Sequence, residues 1–253
     1  MLIKKVSKIL ILIALVAIMF NGCKKTDSTD TTPVVTNPTN GKTTAVFNPN
    51  LTYGTMTDQD GNVYKTIVIG TQTWMAENLR TTKYRDGSAI PVVTSNTAWA
   101  ALSTGAYCNY NNTANNDTIA TFGRLYNWYA ATDTRNIAPT GWHIPTDAEW
   151  TTLTTTLLGE SVAGGKLKEA GTIHWTSPNT SADNSSGFTA LPSGYCYYYD
   201  GSFGYLGYYG YWWSSTALDA SGAWSRVLLC YDRICSRNYA GKQFGFAVRL
   251  LKD

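Results

Sequence analysis

Two stretches of the chain are patterned for pairing strands. The run 63–69 (Val-Tyr-Lys-Thr-Ile-Val-Ile) and the run 73–79 are joined at Gly70-Thr71 and preceded by an Asp60-Gly61 turn, which reads as a hairpin. A short helix is expected over 95–102. In 122–132, Leu125, Trp128 and Tyr129 fall at i, i+3 and i+4, one apolar helix face. A second helix opens at Thr146, where Thr146 and Glu149 form a capping box and Pro145 can staple onto Trp150. Leu153, Leu157 and Leu158 continue its stripe until Gly159. Later, 212–216, 223–230 and 246–251 are strand-like. Two main helices among short antiparallel strands and long loops, in no βαβ rhythm, predict an α+β domain. No boundary or repeat divides it, so 51–253 reads as one domain.

Composition sharpens this. Charged residues are 15% and aromatics 13%, with 17 Tyr and 9 Trp. Such a chain is neither disordered nor a helical bundle. The net charge of +3 comes from the first residues alone: without Lys4, Lys5 and Lys8 the remaining basic residues equal the acidic ones in number. Nothing therefore draws this chain electrostatically to nucleic acid, and no nucleic-acid partner is expected.

Those lysines precede twelve apolar residues at 9–20, shorter than the roughly twenty that a membrane span needs. A basic start followed by a short apolar core is a secretory leader. Gly22-Cys23 at its end resembles the lipobox of bacterial lipoproteins. The expected organisation is a signal peptide at 1–22, a lipidated Cys23, a flexible Thr-, Asn- and Pro-rich tether at 23–50, and the domain beyond. An outer-membrane lipoprotein, facing the periplasm or the cell surface, is the expected location.

Six blocks in order carry a closer resemblance. They begin at Gly61-Asn62-Val63-Tyr64, Ile69-Gly70-Thr71-Gln72-Thr73-Trp74-Met75-Ala76-Glu77-Asn78-Leu79 and Gly123-Arg124-Leu125-Tyr126-Asn127-Trp128. They continue at Gly141-Trp142-His143-Ile144-Pro145-Thr146, Tyr211-Trp212-Trp213-Ser214-Ser215 and Gly245-Phe246-Ala247-Val248-Arg249. Together they resemble the Fibrobacter succinogenes major paralogous domain, found on secreted and lipid-anchored proteins of Fibrobacter and Bacteroidetes. That family is similar in turn to the C-type-lectin-like fold and to the formylglycine-generating sulfatase-modifying domain, which implies a lectin-like architecture here.

Candidate chemistry is sparse. The chain has two histidines, His143 and His174, and no nucleophile elbow, P-loop or zinc-protease motif. No residue is assigned to catalysis, to a metal or to a cofactor. Four cysteines follow Cys23, an even number in an exported chain. If Asp232-Arg233 is a two-residue turn, Cys230 and Cys235 face each other with Cα atoms about 4.5 Å apart, within disulfide reach; the pairing of Cys108 and Cys196 stays open. In formylglycine-generating enzymes a cysteine pair five apart, with an Arg two residues on, binds copper. Cys230, Cys235 and Arg237 match that pattern, so the resemblance implies a copper-dependent oxidase as an alternative.

The last feature is 195–213, crowded with phenols and with Gly201, Gly204, Gly207 and Gly210 at every third position. It reads as a long glycine-hinged loop presenting Tyr197, Tyr199, Tyr205, Tyr208 and Tyr209 to a ligand, because a phenol offers an apolar face and a hydroxyl together. Trp212 and Trp213 read as core. The expected function is a non-catalytic, lipid-anchored envelope module that binds a glycan or a partner surface. A structural, fimbria-like role is a further alternative.

Overall fold

The computed structural model describes residues 37–253; the leader, Cys23 and the first part of the expected tether lie outside them. The elements in chain order are β1 (Gly54–Thr57), β2 (Val63–Ile69), β3 (Gln72–Met75), α1 (Asn96–Ala100), β4 (Tyr107–Cys108), α2 (Asn116–Phe122), β5 (Leu125–Tyr126) and α3 (Trp128–Ala131). There follow β6 (Trp142–His143), α4 (Asp147–Thr156), α5 (Glu160–Leu167), β7 (Ser193–Cys196), β8 (Phe203–Leu206), β9 (Tyr209–Ala217), β10 (Gly222–Leu229), β11 (Ser236–Gly241) and β12 (Leu251–Lys252). One sheet runs β1-β2-β3-β12-β6, a second β11-β10-β9-β7-β8, and β4 pairs β5.

The β2–β3 hairpin forms where the sequence predicts it. Ile69 faces Gln72 across a turn in which Gly70 takes a φ of 61°, a left-handed value that glycine adopts at no steric cost. Ahead of it, Asp58 Oδ1 accepts the N–H groups of Asp60 and Asn62, which fixes the preceding turn. Helix α4 starts on the expected box: Glu149 N–H donates to Thr146 Oγ1 (3.2 Å) and Thr146 N–H donates to Glu149 Oε2 (2.7 Å).

The architecture corrects the expected class. The domain is mostly β, two curled sheets with five short α-helices, the longest ten residues. It is not two main helices dressed with short strands. The helix expected at 122–132 does not exist as such: α2 stops at Gly123, whose φ is 75°. Leu125 and Tyr126 then pair with Cys108 and Tyr107 as strands. Asn127 restarts a helix by accepting the Ala130 N–H while its amide also holds Thr104 O. Two caps and a strand pairing thus outweigh one apolar stripe.

The core has two main bodies. In one, Trp74, Trp150, Phe188 and Trp212 pack between the sheets and α4, with Trp74 and Trp150 ring centroids 4.8 Å apart. Each fully buried large apolar side chain contributes about 1.5–3 kcal/mol. In the other, Tyr126, Trp213, Phe246 and Val248 join the second sheet to β5 and α3. Residues 37–50, which the sequence suggests as tether, lie against this domain. Phe47 packs on the first body, Thr39 Oγ1 donates to Asn62 Oδ1, and Val46 N–H donates to Glu169 Oε1 (2.6 Å). His174 completes that clamp, with Nδ1 at 2.7 Å from Glu169 Oε2 and Nε2 at 2.9 Å from Thr44 Oγ1.

Candidate functional site

The segment 195–213 is not one long loop but holds the end of β7, all of β8 and the start of β9 in the second sheet, and this too corrects the expectation. Strands β7 and β8 form a hairpin, and a short turn leads from β8 to β9, which lies on the other side of β7 and runs parallel to it, so its glycines divide by role. Gly201 and Gly207 turn the chain with φ of 69° and 86°. Gly210 lies in β9, where an added Cβ would meet the Trp212 ring at 2.3 Å.

Strand periodicity then sorts the aromatics. Along β9, Tyr209, Tyr211 and Trp213 share one face, while Trp212 points into the other core body. Trp212 and Trp213 are fully buried. On the first face Tyr211 stacks on Phe246 at 4.7 Å, Tyr205 stacks on Tyr209 at 4.2 Å, and Tyr195 stands edge-on to Tyr211 and Phe244 at 5.6 Å. Between Tyr195, Tyr211 and Phe244 opens a cleft of about 240 Å³. Ser225 and Asn238, partners across β10 and β11, give it a polar floor, and Tyr239, 63% exposed, stands at its rim.

No residue lining this cleft is an acid, a base or a histidine. Its phenols are neutral donors. Burial raises Tyr211 above the ordinary phenol value, with Tyr195 adding to it. The hydrogen bond to Tyr231, followed by burial, pushes Tyr209 up to about 12. The arrangement can hold a flat apolar surface against rings and hydrogen-bond its edges; it has no group placed for proton transfer.

Of the phenols expected at the site, Tyr205 and Tyr209 form the stacked pair beside the cleft, and Tyr197 reaches it through Tyr195 and Phe244 (6.0 and 5.4 Å). Tyr199 is 75% exposed at the hairpin tip, touching Tyr198 alone among the aromatic pairs described. Tyr208 lies in the β8–β9 turn, half-exposed, outside this ring cluster. The sequence reading missed Tyr195, Tyr211, Asn238, Tyr239 and Phe244. Alternation through Tyr209-Gly210-Tyr211 was the available signal for Tyr211.

Cys230 and Cys235 are not bonded; both are free, buried thiols. The expected two-residue turn is absent, because β10 and β11 stop pairing at Val227 and Ser236. Beyond that point Cys230 N–H goes to Tyr208 O, while Cys235 N–H goes to Glu160 O. Gly164 lets the 233–234 backbone lie on α5, since a Cβ there would meet Ile234 O at 2.4 Å. Burial pushes the Cys235 thiol up to about 12. Arg237, the third residue of the copper pattern, lies over the Trp224 ring and pairs with Asp147. His143 is half-buried between Asp253 Oδ1 (2.6 Å) and Glu149 Oε1 (3.0 Å), on the opposite edge of the first sheet from β1.

What fold and cleft define is a β-rich domain of two curled sheets. Among known proteins it matches a family model, the Fibrobacter succinogenes major domain, over residues 67–252. The match covers most of the chain, and the chain belongs to that family. No curated protein and no solved structure matches it.

Proposed function

We propose that this domain is a non-catalytic recognition module of the cell envelope, held to a membrane through a lipid on Cys23, and that it binds glycan in the aromatic cleft of its second sheet. The observation that carries this reading is the cleft itself: aromatic rings over a Ser225–Asn238 floor, with no charged group lining it. Pyranose rings present C–H faces that stack on aromatic side chains, and their hydroxyls find the phenols and the Asn238 amide.

Binding to a panel of neutral oligosaccharides tests this. Tyr211→Ala and Tyr205→Ala should each weaken binding by about 1–2 kcal/mol, while Tyr208→Ala, outside the ring cluster, should leave it unchanged. Affinity should also stay level from pH 5 to 9, a range in which no lining side chain ordinarily titrates. Equal losses at Tyr208 and Tyr211, or no binding across the panel, would remove the reading.

Anchoring is separable. Cys23→Ser should release the protein from membranes, because acyl chains supply about 0.8 kcal/mol per buried CH₂ and a polar tether supplies none. Continued sedimentation with membranes would contradict it.

A further inference from the structure

The aromatic cleft does not end at its own rim. Tyr195 leans on Tyr205, with ring centroids 5.6 Å apart, and Tyr205 stacks on Tyr209 at 4.2 Å with the planes 7° apart. Tyr209 stands edge-on to Tyr231 at 6.1 Å, their hydroxyls 3.3 Å from each other. Strand register builds this row. Tyr209 and Tyr211 share a face of β9, Tyr209 lies opposite Leu229 at the end of β10, and the chain runs on from there into Tyr231. Tyr205 and Tyr231 are half-exposed. Tyr205 keeps its place with a φ of 62°, a left-handed value that a bulky side chain rarely adopts. Such strain persists where the surrounding structure imposes it, and it gathers at sites that bind or react.

Past Tyr231 the row opens into a second groove, of about 540 Å³, lined by the 180–181 and 231–234 segments and Ser161. Its two segments are fastened to each other by a completely buried lysine. Lys168 Nζ donates to Thr180 O (3.1 Å), Leu229 O (3.0 Å) and Asp232 O (2.7 Å), and Thr180 N–H donates to Cys230 O at 2.8 Å. A buried ammonium is costly unless its donors are taken up. Here three carbonyls take them up, and the sides of the groove are held before any ligand arrives.

We infer that the cleft and this groove are subsites of one surface, joined across Tyr205 and Tyr209, and that its ligand is an internal stretch of a linear neutral polysaccharide, not a single terminal sugar. This rests on the glycan reading of the cleft. A pyranose is about as large as one phenol ring, so no single sugar spans the row from Tyr195 to Tyr231. A chain does span it. Successive units lay C–H faces and hydroxyls against the rings and phenol oxygens, and those at the far end meet Ser181, Asp232 and Arg233, which donate to or accept from further hydroxyls. Asp232 and Arg233 are of opposite charge, so the groove, like the cleft, offers no net charge to select an acidic sugar.

The test is calorimetric titration of the full chain with linear neutral oligomers of glucose, xylose, mannose and galactose, each as the dimer and the hexamer. In a series that binds, the hexamer should bind about tenfold or more tightly than the dimer, through contacts added beyond the cleft. Tyr231→Ala, at an exposed ring, should leave Tm and dimer affinity unchanged and weaken hexamer binding about fivefold or more. Tyr211→Ala, in the cleft, should weaken both. Equal binding of dimer and hexamer, or full hexamer affinity in the Tyr231→Ala protein, would overturn the inference, and the cleft reading would stand as long as Tyr211→Ala still weakened binding. No binding in any series would remove the cleft reading and this extension with it.

Discussion

Arg249→Met should destabilise the domain by about 3–5 kcal/mol, the cost of removing one partner from a buried charged network. Arg249 is completely buried. Its Nε donates to Asn78 Oδ1 (2.7 Å), Nη1 to Met75 O and Phe188 O (3.0 and 2.7 Å), and Nη2 to Thr189 O (2.9 Å), with the guanidinium 4.5 Å from the centre of the Phe188 ring. Burial works against the charge and lowers its pKa; these acceptors offset that. Asn78 Oδ1 also accepts from Trp212 Nε1 at 2.9 Å, so one side chain joins the end of β3, the 188–189 segment and, through Asn78, β9. Methionine fills much of the volume and leaves the carbonyl oxygens without a donor, each at about 1–3 kcal/mol. For a domain of this size Tm should fall by about 10 °C or more. Lysine in its place keeps the charge but lacks the planar fork, so Arg249→Lys should restore only part of the loss. Urea unfolding of both variants checks this, and a Met variant within 1 kcal/mol of wild type would refute it, 1 kcal/mol being about the size of one ordinary hydrogen bond.

The second large effect is alkaline unfolding. Tyr64 and Tyr126 are fully buried. Tyr64 Oη donates to Asp58 Oδ2 (2.6 Å) and Tyr126 Oη to Thr81 O (2.7 Å). Burial first, and Asp58 nearby, hold both phenols well above their ordinary value of 10.0. Protons therefore bind more tightly in the folded state than in the unfolded one. Their contribution is complete below the unfolded value and declines as pH rises from there toward the folded values. Each group then removes about 1.4 kcal/mol per pH unit, and the two together about 2.7. Tyrosinate absorbance and tryptophan fluorescence should change in a single cooperative step above about pH 11. Tyr126→Phe, though less stable at neutral pH, should show a shallower fall with pH. Gradual ionisation with unchanged fluorescence through pH 12 would be contrary to the argument.

How far the sequence carried depends on the range of the interaction. The β2–β3 hairpin and the α4 capping box are local: a glycine, a threonine and a glutamate within a few residues decide them, and both stand where the pattern puts them. At 122–132 the apolar spacing was misleading because Gly123 and Asn127 break the run, and because Leu125 pairs with Cys108, a partner that no local window contains. The aromatic segment was misread for a related reason. Glycine at every third position resembles a hinge, but Gly201 and Gly207 sit in tight turns between strands, and Gly204 and Gly210 make room in strands for the Tyr195 and Trp212 rings. The phenols Tyr205 and Tyr209 were legible as site candidates by composition alone. Asn238, Tyr239 and Phe244 reach the cleft only through the register of β10 with β11 and the return of the chain past β7. The Cys230–Cys235 pairing failed on register as well, since the strands part before either cysteine.

The central claim, that the cleft binds glycan, is tested most directly by watching its rings. With tyrosine and phenylalanine rings isotopically labelled, titration of the protein with neutral oligosaccharides should shift the NMR resonances of Tyr195, Tyr211, Tyr239 and Phe244 together, on one binding curve. Those of Tyr64 and Tyr126, buried away from the cleft, should stay still. Saturable binding with the four cleft rings unmoved, or no saturable shift with any neutral saccharide of a broad panel, would contradict it.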